Sequence, residues 1–389
     1  MKNGWQTRRF GDVCEFKKES GEWKNLPYVG LEDIESNSGR FLGSTSPLTV
    51  KSMTFRFTPE HVLYGRLRPY LNKVLLPDFE GHCSTEIFPI RTSDELERRY
   101  LFHWLRSDEV VAKINATWTG ARMPRANMNQ VLDFPIPVPP IEEQRRIVAI
   151  LDEAFACIDK AKATTEKNIQ NARELFDSYL NNIFSNPGPD WEEDTLGNIA
   201  TFRNGINFTK SSRGETMRIV GVKDFQKSFW APIHSLESIT ADGSVPESDL
   251  LKENDILFVR SNGNKELIGR SLLVGPVEGK VTHSGFTIRA RIDDTRAVPQ
   301  YVCRYVKSDL VRQRMIEGGT GTNIKSLNQS MLSDIRIPLP PVCDQQDIIA
   351  RLEGIDGLSK TLDFVSRRKL VELDEVKKSI LQKAFSAEL

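Results

Sequence analysis

Two stretches of the chain, 141–185 and 342–386, carry apolar or small residues at steps of three and four positions. In the first stretch this spacing includes Ile147, Leu151 and Ile158, and in the second it includes Ile348 and Leu352. Steps of three and four place side chains on one narrow face of an α-helix, as in a coiled coil. Each stretch is therefore predicted to be a single helix of about 44 residues, roughly 65 Å long at 1.5 Å per residue.

Both helices are preceded by a proline block, and the two blocks belong to an internal repeat. Residues 136–140 read Ile-Pro-Val-Pro-Pro and residues 337–341 read Ile-Pro-Leu-Pro-Pro, followed by Gln144 and Gln345. The same offset of 201 residues relates Tyr100 to Tyr301, without a gap through to the ends of both helices. Proline readily precedes a helix but does not fit inside one. The repeat indicates that the chain is an internal duplication.

The seam of each helix is interrupted by polar residues, which include Thr165, Ser359 and Ser366. A seam of this kind needs a partner helix, and the most direct partner is the other copy, packed antiparallel. Two separate surface helices, each on its own core, remain the alternative.

Alternating and short apolar runs predict strands before each helix. They come in matched pairs, 28–30 with 219–221, 62–64 with 255–259 and 83–88 with 283–288, and the stretches 100–114 and 301–316 are predicted to be helical. The predicted fold class is mixed α+β with an internal pseudo-two-fold repeat. The predicted parts are a first globular domain (1–140), a first spacer helix (141–185), a linker of turn formers (186–190), a second globular domain (191–341) and a second spacer helix (342–389).

Composition excludes several classes of protein. The 53 basic and 53 acidic residues cancel, which argues against a generic nucleic-acid coat but leaves room for local basic surfaces. No apolar run approaches the ~20 residues of a membrane span, and the first eleven residues lack a secretory core, so we expect a cytoplasmic protein without membrane partners. The five cysteines are scattered and the five histidines lack ligand spacing, so neither a disulfide framework nor a metal site is predicted.

Catalytic motifs are not apparent in the sequence. It contains neither GxGxxG after a strand nor GxxxxGK[ST], so no nucleotide fold is indicated. Pro77-Asp78 followed by Glu86 is superficially similar to a nuclease acidic cluster, but residue 88 is Phe where lysine would be needed. We therefore predict no catalytic residue.

Basic and amide side chains, in contrast, follow the predicted strands at matched places in both copies. The candidate DNA-binding residues are Arg66, Arg68, Asn72, Lys73, Arg122 and Arg125 in the first copy and Arg260, Asn262, Asn264, Lys265, Asn323 and Lys325 in the second. Arginine and lysine bond to guanine edges and phosphates, and asparagine bonds to adenine. The alternative, that these are solvated loop charges, is weakened because both groups recur in both copies.

Taken together, these motifs resemble the specificity subunits of Type I restriction-modification systems. The resemblance covers the whole chain and rests on Val29-Gly30 with Val220-Gly221, on 255–258, on the Thr-Gly loops at 119 and 320, and on the doubled proline-glutamine-helix block. It implies two target-recognition domains, each reading half of a split site in double-stranded DNA, and two antiparallel helices that set the spacing and dock two modification (methyltransferase) subunits. About one DNA turn, roughly 34 Å, would separate the two reading heads.

The resemblance further implies that catalysis and cofactors belong to partner subunits. S-adenosylmethionine would bind to the modification subunits, ATP and Mg²⁺ would be used with the restriction subunits, and this chain would be a non-catalytic subunit without a cofactor of its own. Two other classes remain open at this stage. One is a coiled-coil adaptor that joins proteins without reading DNA, and the other is an enzyme with an unrecognised site.

Overall fold

The structure is a computed structural model that describes residues 4–120, 122–209, 211–226, 228–317 and 326–389. The chain forms two compact units, unit 1 (1–166 with 367–389) and unit 2 (167–366). Both unit boundaries fall inside the long helices, so each unit contains a globular part and a portion of both helices.

Unit 1 begins with a short strand and helix and continues as a small mixed domain. Its elements are β1 (Gln6–Arg9), α1 (Phe10–Val13), β2 (Cys14–Phe16), β3 (Ser20–Gly21), β4 (Tyr28–Val29), β5 (Thr54–Phe57), β6 (His61–Gly65), β7 (Val74–Leu75), β8 (Gly81–Cys83), β9 (Ile87–Thr92), α2 (Arg98–Leu105), α3 (Asp108–Ala116), α4 (Met128–Val131), β10 (Pro135–Val138) and the long helix α5 (Ile141–Ser185). The strands form an antiparallel sheet in the order β2-β9-β6-β7, a second sheet in the order β3-β5-β8-β4, and the pair β1-β10. Within the second sheet β4 pairs parallel to β8.

Unit 2 repeats this plan with a longer insertion before its central strand. Its elements are β11 (Glu192–Thr195), α6 (Leu196–Ile199), β12 (Ala200–Asn204), β13 (Thr216–Val220), β14 (Glu237–Thr240), β15 (Ile256–Val259), β16 (Ser271–Leu273), β17 (Val281–His283), β18 (Thr287–Ile292), α7 (Pro299–Lys307), α8 (Asp309–Glu317), α9 (Gln329–Ser333), β19 (Arg336–Leu339) and the long helix α10 (Val342–Phe385). Its sheets have the orders β12-β18-β15-β16 and β14-β13-β17, with β11 paired to β19. The parallel pair β13–β17 corresponds to β4–β8 of unit 1.

Each unit contains one stretch in which α5 and α10 are paired, and in each stretch the two helices run antiparallel. In unit 1 the start of α5, with Leu151 and Phe155, shares a hydrophobic cluster with Leu381 and Ala384 at the end of α10. Ion pairs Lys377–Asp159 and Lys162–Asp374 follow the same order.

In unit 2 the end of α5, with Leu180 and Phe184, packs with Leu352 at the start of α10. Arg173 of α5 bonds to Asp363 of α10 at 2.8 Å. The predicted antiparallel pairing of the two copies is therefore confirmed within each unit, and the alternative of isolated surface helices is wrong.

The long helix α5 has the predicted bounds, and α10 ends at Phe385, one residue before the end of the predicted helical stretch (342–386) and four before the end of the predicted spacer segment (342–389). Ala387 has a left-handed φ of 64°, and the Glu388 amide donates to the Lys383 carbonyl at 3.0 Å. This reversal closes the helix in the manner of a Schellman turn.

Two pairs of predicted elements are divided in the structure. The predicted strands 83–88 and 283–288 are each two strands joined by a turn, because the hydroxyls of Ser84 and Ser284 accept hydrogen bonds from backbone amides two residues ahead. The predicted helices 100–114 and 301–316 are each broken at a serine, Ser107 or Ser308, whose backbone is extended. Periodicity alone misses these breaks, since the apolar rhythm continues across them.

Candidate nucleic-acid interface

The two groups of basic residues predicted in the first copy meet at one edge of unit 1. The Arg68 amide donates to the Pro124 carbonyl at 2.7 Å, and the Ala126 amide donates to the Arg66 carbonyl at 2.9 Å. Leu67 and Arg125 form an antiparallel bridge. The loop after β6 and the loop after α3 therefore lie side by side. Their positions in the sequence are far apart and give no indication of this contact.

A carboxylate between these loops fixes two guanidinium groups. Glu86 accepts a hydrogen bond from Arg66 Nε at 2.9 Å and an ion-paired fork from Arg125 Nε and Nη2 at 2.8 Å each. Burial alone would raise the pKa of the Glu86 carboxyl, but the bonds from Arg125 and Arg66 outweigh it and hold that pKa below its ordinary value. Arg66 also lies over the ring of Phe88, 5.2 Å from its centroid. The acidic residue that superficially suggests a nuclease is thus an anchor for arginines.

The other predicted residues of unit 1 divide into exposed and internal ones. Arg68 and Arg122 are exposed, and Arg68 has a left-handed φ of 52°. Asn72 is buried and its amide donates to the Arg106 carbonyl at 3.3 Å, while Lys73 Nζ donates to the Leu31 carbonyl at 2.6 Å. These two side chains support the loop from inside, contrary to their prediction as surface donors.

Unit 2 builds the same edge with different side chains. Arg260 follows β15 as Arg66 follows β6, and the Leu327 amide donates to its carbonyl at 2.8 Å. Asn262 and Asn264 accept the backbone amides of Asn264 and Glu266 with their side-chain oxygens and so shape the loop, and their amino groups make no hydrogen bond within the part of the chain that the structure describes. Lys265 is exposed. The predicted contacts Asn323 and Lys325 lie outside the described residues.

The helices behind each loop hold it in place. In unit 1 the junction of α2 and α3 supplies Arg106, which donates to the Asn37 carbonyl at 2.7 Å in addition to accepting the Asn72 amide. Burial lowers the pKa of this arginine to about 10. In unit 2 the equivalent junction supplies Lys307, which donates to the Ser271 carbonyl at 2.7 Å, and Arg312, which donates to the Glu266 carbonyl. Each loop therefore lies on a supported scaffold, the usual arrangement for recognition loops.

One position of this edge is missed by the sequence analysis. It is the last residue of the turn between β8 and β9 in unit 1 and between β17 and β18 in unit 2. In unit 1 that residue is Glu86, and in unit 2 it is Phe286, whose ring is 59% exposed. The two differ by 200 positions and not by 201, so the constant offset does not align them. Shared Ser84 and Ser284, two residues earlier, are the signal in the sequence that relates them.

Comparison with known proteins agrees with the geometry. The family described as Type I restriction modification DNA specificity domain matches residues 2–171. The EcoDI specificity subunit of Escherichia coli is 29% identical over 175 residues, and the StySPI specificity subunit of Salmonella potsdam is 25% identical over 328 residues, or 79% of this chain and 69% of that protein. This chain is similar to type I restriction specificity subunits, and its residues 2–171 match the model of their DNA specificity domain.

Solved structures from type I restriction-modification systems share the fold. The HsdS subunit from Thermoanaerobacter tengcongensis is 22% identical with a TM-score of 0.67, covering 100% of this chain and 98% of that one. A chain solved in work on complex assembly and conformational transition of the type I R-M system is also 22% identical, with a TM-score of 0.81 and coverage of 100% and 99%. The match to the EcoDI subunit spans 44% of this chain and 38% of the relative's own length.

The fold class predicted from the sequence is confirmed by these likenesses. Within the described residues, none of the helices combines the length and apolar character needed to cross a membrane.

Proposed function

We propose that this chain is the subunit that gives a type I restriction-modification complex its DNA sequence specificity. Each unit reads one half of a bipartite site in double-stranded DNA through the edge formed by its strand-end loops. The chain itself carries no catalysis, and methyl transfer takes place on modification subunits that hold S-adenosylmethionine. Restriction subunits supply the steps that use ATP and Mg²⁺.

The observation that carries this proposal is the matched edge of the two units. Backbone hydrogen bonds place Arg66 and Arg260 at the same point of their loops, while the side chains around them differ. Two supports of similar backbone and unlike side chains suit a protein that reads two different short sequences. An adaptor that only joins proteins has no need for arginine and asparagine at both places.

The chemistry of the edge suits base reading. A guanidinium group donates two parallel hydrogen bonds to guanine, and each good bidentate contact supplies about 1–3 kcal/mol of discrimination against the wrong base. Exposed Arg68, Arg122 and Lys265 are placed to contact phosphates, which add affinity without sequence preference. Because the chain has no net charge, partner subunits are expected to add much of the phosphate contact.

The paired helices are proposed to set the spacing of the half-sites and to dock two modification subunits. Apolar side chains that are exposed on α10 support a docking role; they are Leu358, Phe364, Val365, Val371 and Val376. Water-exposed apolar groups in such number are typical of interaction surfaces. An internal duplication presents two equivalent surfaces, which suits two copies of one partner.

Reconstitution tests this proposal. The chain would be mixed with type I modification subunits, and methylation of a random-sequence DNA library would be read at base resolution, with and without the chain. The expected result is methylation at a split sequence only when the chain is present. Methyl transfer by the isolated chain, or methylation without sequence preference in the full complex, would refute the proposal.

A domain exchange tests the division of labour. Replacing 191–335 with the corresponding residues of a relative that has another target should change one half-site and leave the other unchanged. The reciprocal exchange of the first globular domain is the matched control and should change the other half-site. A change in both halves from one exchange would contradict the assignment of one half-site to each unit.

A further inference from the structure

The turn between the parallel-paired strand and its successor has the same backbone in both units. The Ser84 amide donates to Val29 at 3.0 Å, and the Ser284 amide donates to Val220 at 3.0 Å. The turn is closed in unit 1 by the Ile87 amide, which donates to the Ser84 carbonyl at 2.9 Å. In unit 2 the Thr287 amide donates to the Ser284 carbonyl at 2.8 Å. The carbonyl of the last turn residue then accepts the amide of Arg66 at 2.9 Å or of Arg260 at 2.8 Å.

These bonds use only backbone atoms of the last turn residue, so its side chain is free to differ without disturbing the fold. Glu86 and Phe286 occupy this position, directly beside the arginine that begins the recognition loop. The neighbouring strands are buried in both units, yet the Phe286 ring is exposed. An exposed phenylalanine ring at this place does not contribute to the core, which points to a role at the surface.

In unit 1 the carboxylate decides the orientation of one guanidinium group. Arg66 donates to Glu86 through Nε, and no other hydrogen bond from its guanidinium group exists among the described residues. Both of its Nη groups are therefore available, held in place by the carboxylate and by the Phe88 ring. Arg125 is already occupied, since Nε and Nη2 bond to Glu86 and Nη1 donates to the Met123 carbonyl. Arg66 is the group positioned to donate two parallel bonds, and Arg125 neutralises the carboxylate that holds it.

In unit 2 an apolar ring takes the place of the carboxylate at the same position. Phe286 provides no carboxylate, and the Arg260 side chain makes no hydrogen bond or ion pair within the described part of the chain. An aromatic ring at a DNA-facing edge contacts the thymine methyl group or packs against a base step, and it offers no carboxylate oxygen to fix the orientation of an arginine.

We propose that this turn position sets the base preference of each unit, an inference that rests on the proposed function. In unit 1, Glu86 is a positioning residue that holds Arg66 for the O6 and N7 atoms of guanine. In unit 2, Phe286 contacts the methyl group of thymine directly. The identity of one residue in an otherwise matched turn thus makes the two readers different.

The test uses the complete complex with its modification subunits and the random-sequence library read at base resolution. Glu86→Ala should lower the preference for guanine at one position of one half-site by about 5- to 150-fold and leave the other half-site unchanged. Glu86→Gln, which keeps the shape and one acceptor oxygen, should retain part of that preference. Glu60→Ala is the matched control, because Glu60 also pairs with an arginine of unit 1, Arg91 at 3.1 Å, but lies away from this turn.

The reciprocal variants test unit 2. Phe286→Ala should reduce thymine preference at one position of the second half-site, and Phe286→Leu should retain part of it. Phe286→Glu should replace that preference with a new one, since the carboxylate would engage Arg260 as Glu86 engages Arg66. Leu42→Ala removes another exposed apolar side chain and is the control.

The outcomes separate the two proposals. If the unaltered complex modifies DNA without sequence preference, the proposed function fails. If the unaltered complex reads a split site and Glu86→Ala and Phe286→Ala leave every base preference unchanged, or lower all of them equally, the turn position is not the determinant. Because Glu86→Gln and Phe286→Leu conserve size, they decide the question if the alanine variants do not fold.

Discussion

The side chain of Gln144 joins the start of α5 to the globular part of unit 1, and its removal should destabilise that part. Its Oε1 accepts the Glu97 amide at 2.8 Å, and its Nε2 donates to the carbonyls of Glu95 and Pro139 at 2.8 Å each. The side chain is completely buried. Gln345 makes the equivalent three bonds in unit 2.

The magnitude follows from these three bonds. Gln144→Leu fills a similar volume and leaves an amide and two carbonyls without their partner. A buried polar group that loses its partner costs about 1–3 kcal/mol, with the lower end for groups that water can reach. The Pro139 bond is buried and the other two are partly buried, so we expect a loss of about 3 kcal/mol from unit 1. This corresponds to an equilibrium constant for opening of unit 1 that is roughly 100-fold larger, since each 1.4 kcal/mol changes an equilibrium constant by a factor of ten.

Hydrogen exchange read by mass spectrometry measures the effect unit by unit. In Gln144→Leu, amides of α2 should exchange about 100-fold faster where exchange reports opening of the unit, and amides of α7 should be unchanged. Gln345→Leu should reverse this pattern. Gln170→Leu is the control, since Gln170 is exposed and its side-chain amide donates to the Glu174 carboxylate, four residues ahead on the same helix. Equal exchange of α2 in Gln144→Leu and Gln170→Leu would refute the reasoning.

Three further results are expected. Inserting seven residues in each long helix adds about 10 Å of helix and should lengthen the gap in the DNA target by ~3 base pairs, whereas an unchanged gap would contradict the spacing role. Tyr100→Phe and Tyr301→Phe each remove a hydrogen bond to a proline carbonyl (2.9 and 2.8 Å) and should each cost about 1 kcal/mol in urea unfolding, with no loss if the hydroxyls are not structural. Burial lowers the pKa of His283 to about 3, below the ~6.5 of the unfolded chain, so the unfolded state binds the extra proton and stability should fall by up to ~1.4 kcal/mol per pH unit from pH ~6.5 towards ~3. His283→Gln should remove this slope from unit 2, and exposed His234→Gln should not.

The long helices and the central strands were predictable because their signals are local and repeated. Apolar residues at steps of three and four positions, together with the preceding proline block, predict both ends of α5 correctly, and the apolar runs locate β6 and β15. The constant offset then predicts that the helices are copies, and two copies of one narrow seam predict an antiparallel pair. These features depend on many residues, so a single deviation does not hide them.

The turns and the state of individual loop side chains were not predictable in this way. The hydroxyl of Ser84 ends a strand through one hydrogen bond, the helices break at Ser107 and Ser308 through an extended backbone, and the apolar pattern on both sides is unchanged. Asn72 looks like a surface donor in the sequence, but a left-handed backbone at φ 48° turns it towards Arg106. The meeting of the Arg66 and Arg125 loops depends on tertiary contacts between residues about sixty positions apart.

If the proposed function holds, the arrangement would let each unit change its target without losing its fold. The residues that hold each unit together, such as Gln144 and Tyr100, are the same in both copies and are bonded through side chains that admit little substitution. The last residue of the matched turn makes the hydrogen bonds that both units share through its backbone atoms. Glu86 and Phe286 therefore both fit there. Substitution at such a position leaves the backbone bonds of the turn in place and alters the chemistry beside Arg66 or Arg260 directly, although in unit 1 it also removes the carboxylate that joins Arg66 to Arg125. Under the proposed function, specificity would depend on the side chain at this position and the path of the loop on its backbone bonds, so that one unit could vary while the other stays as it is.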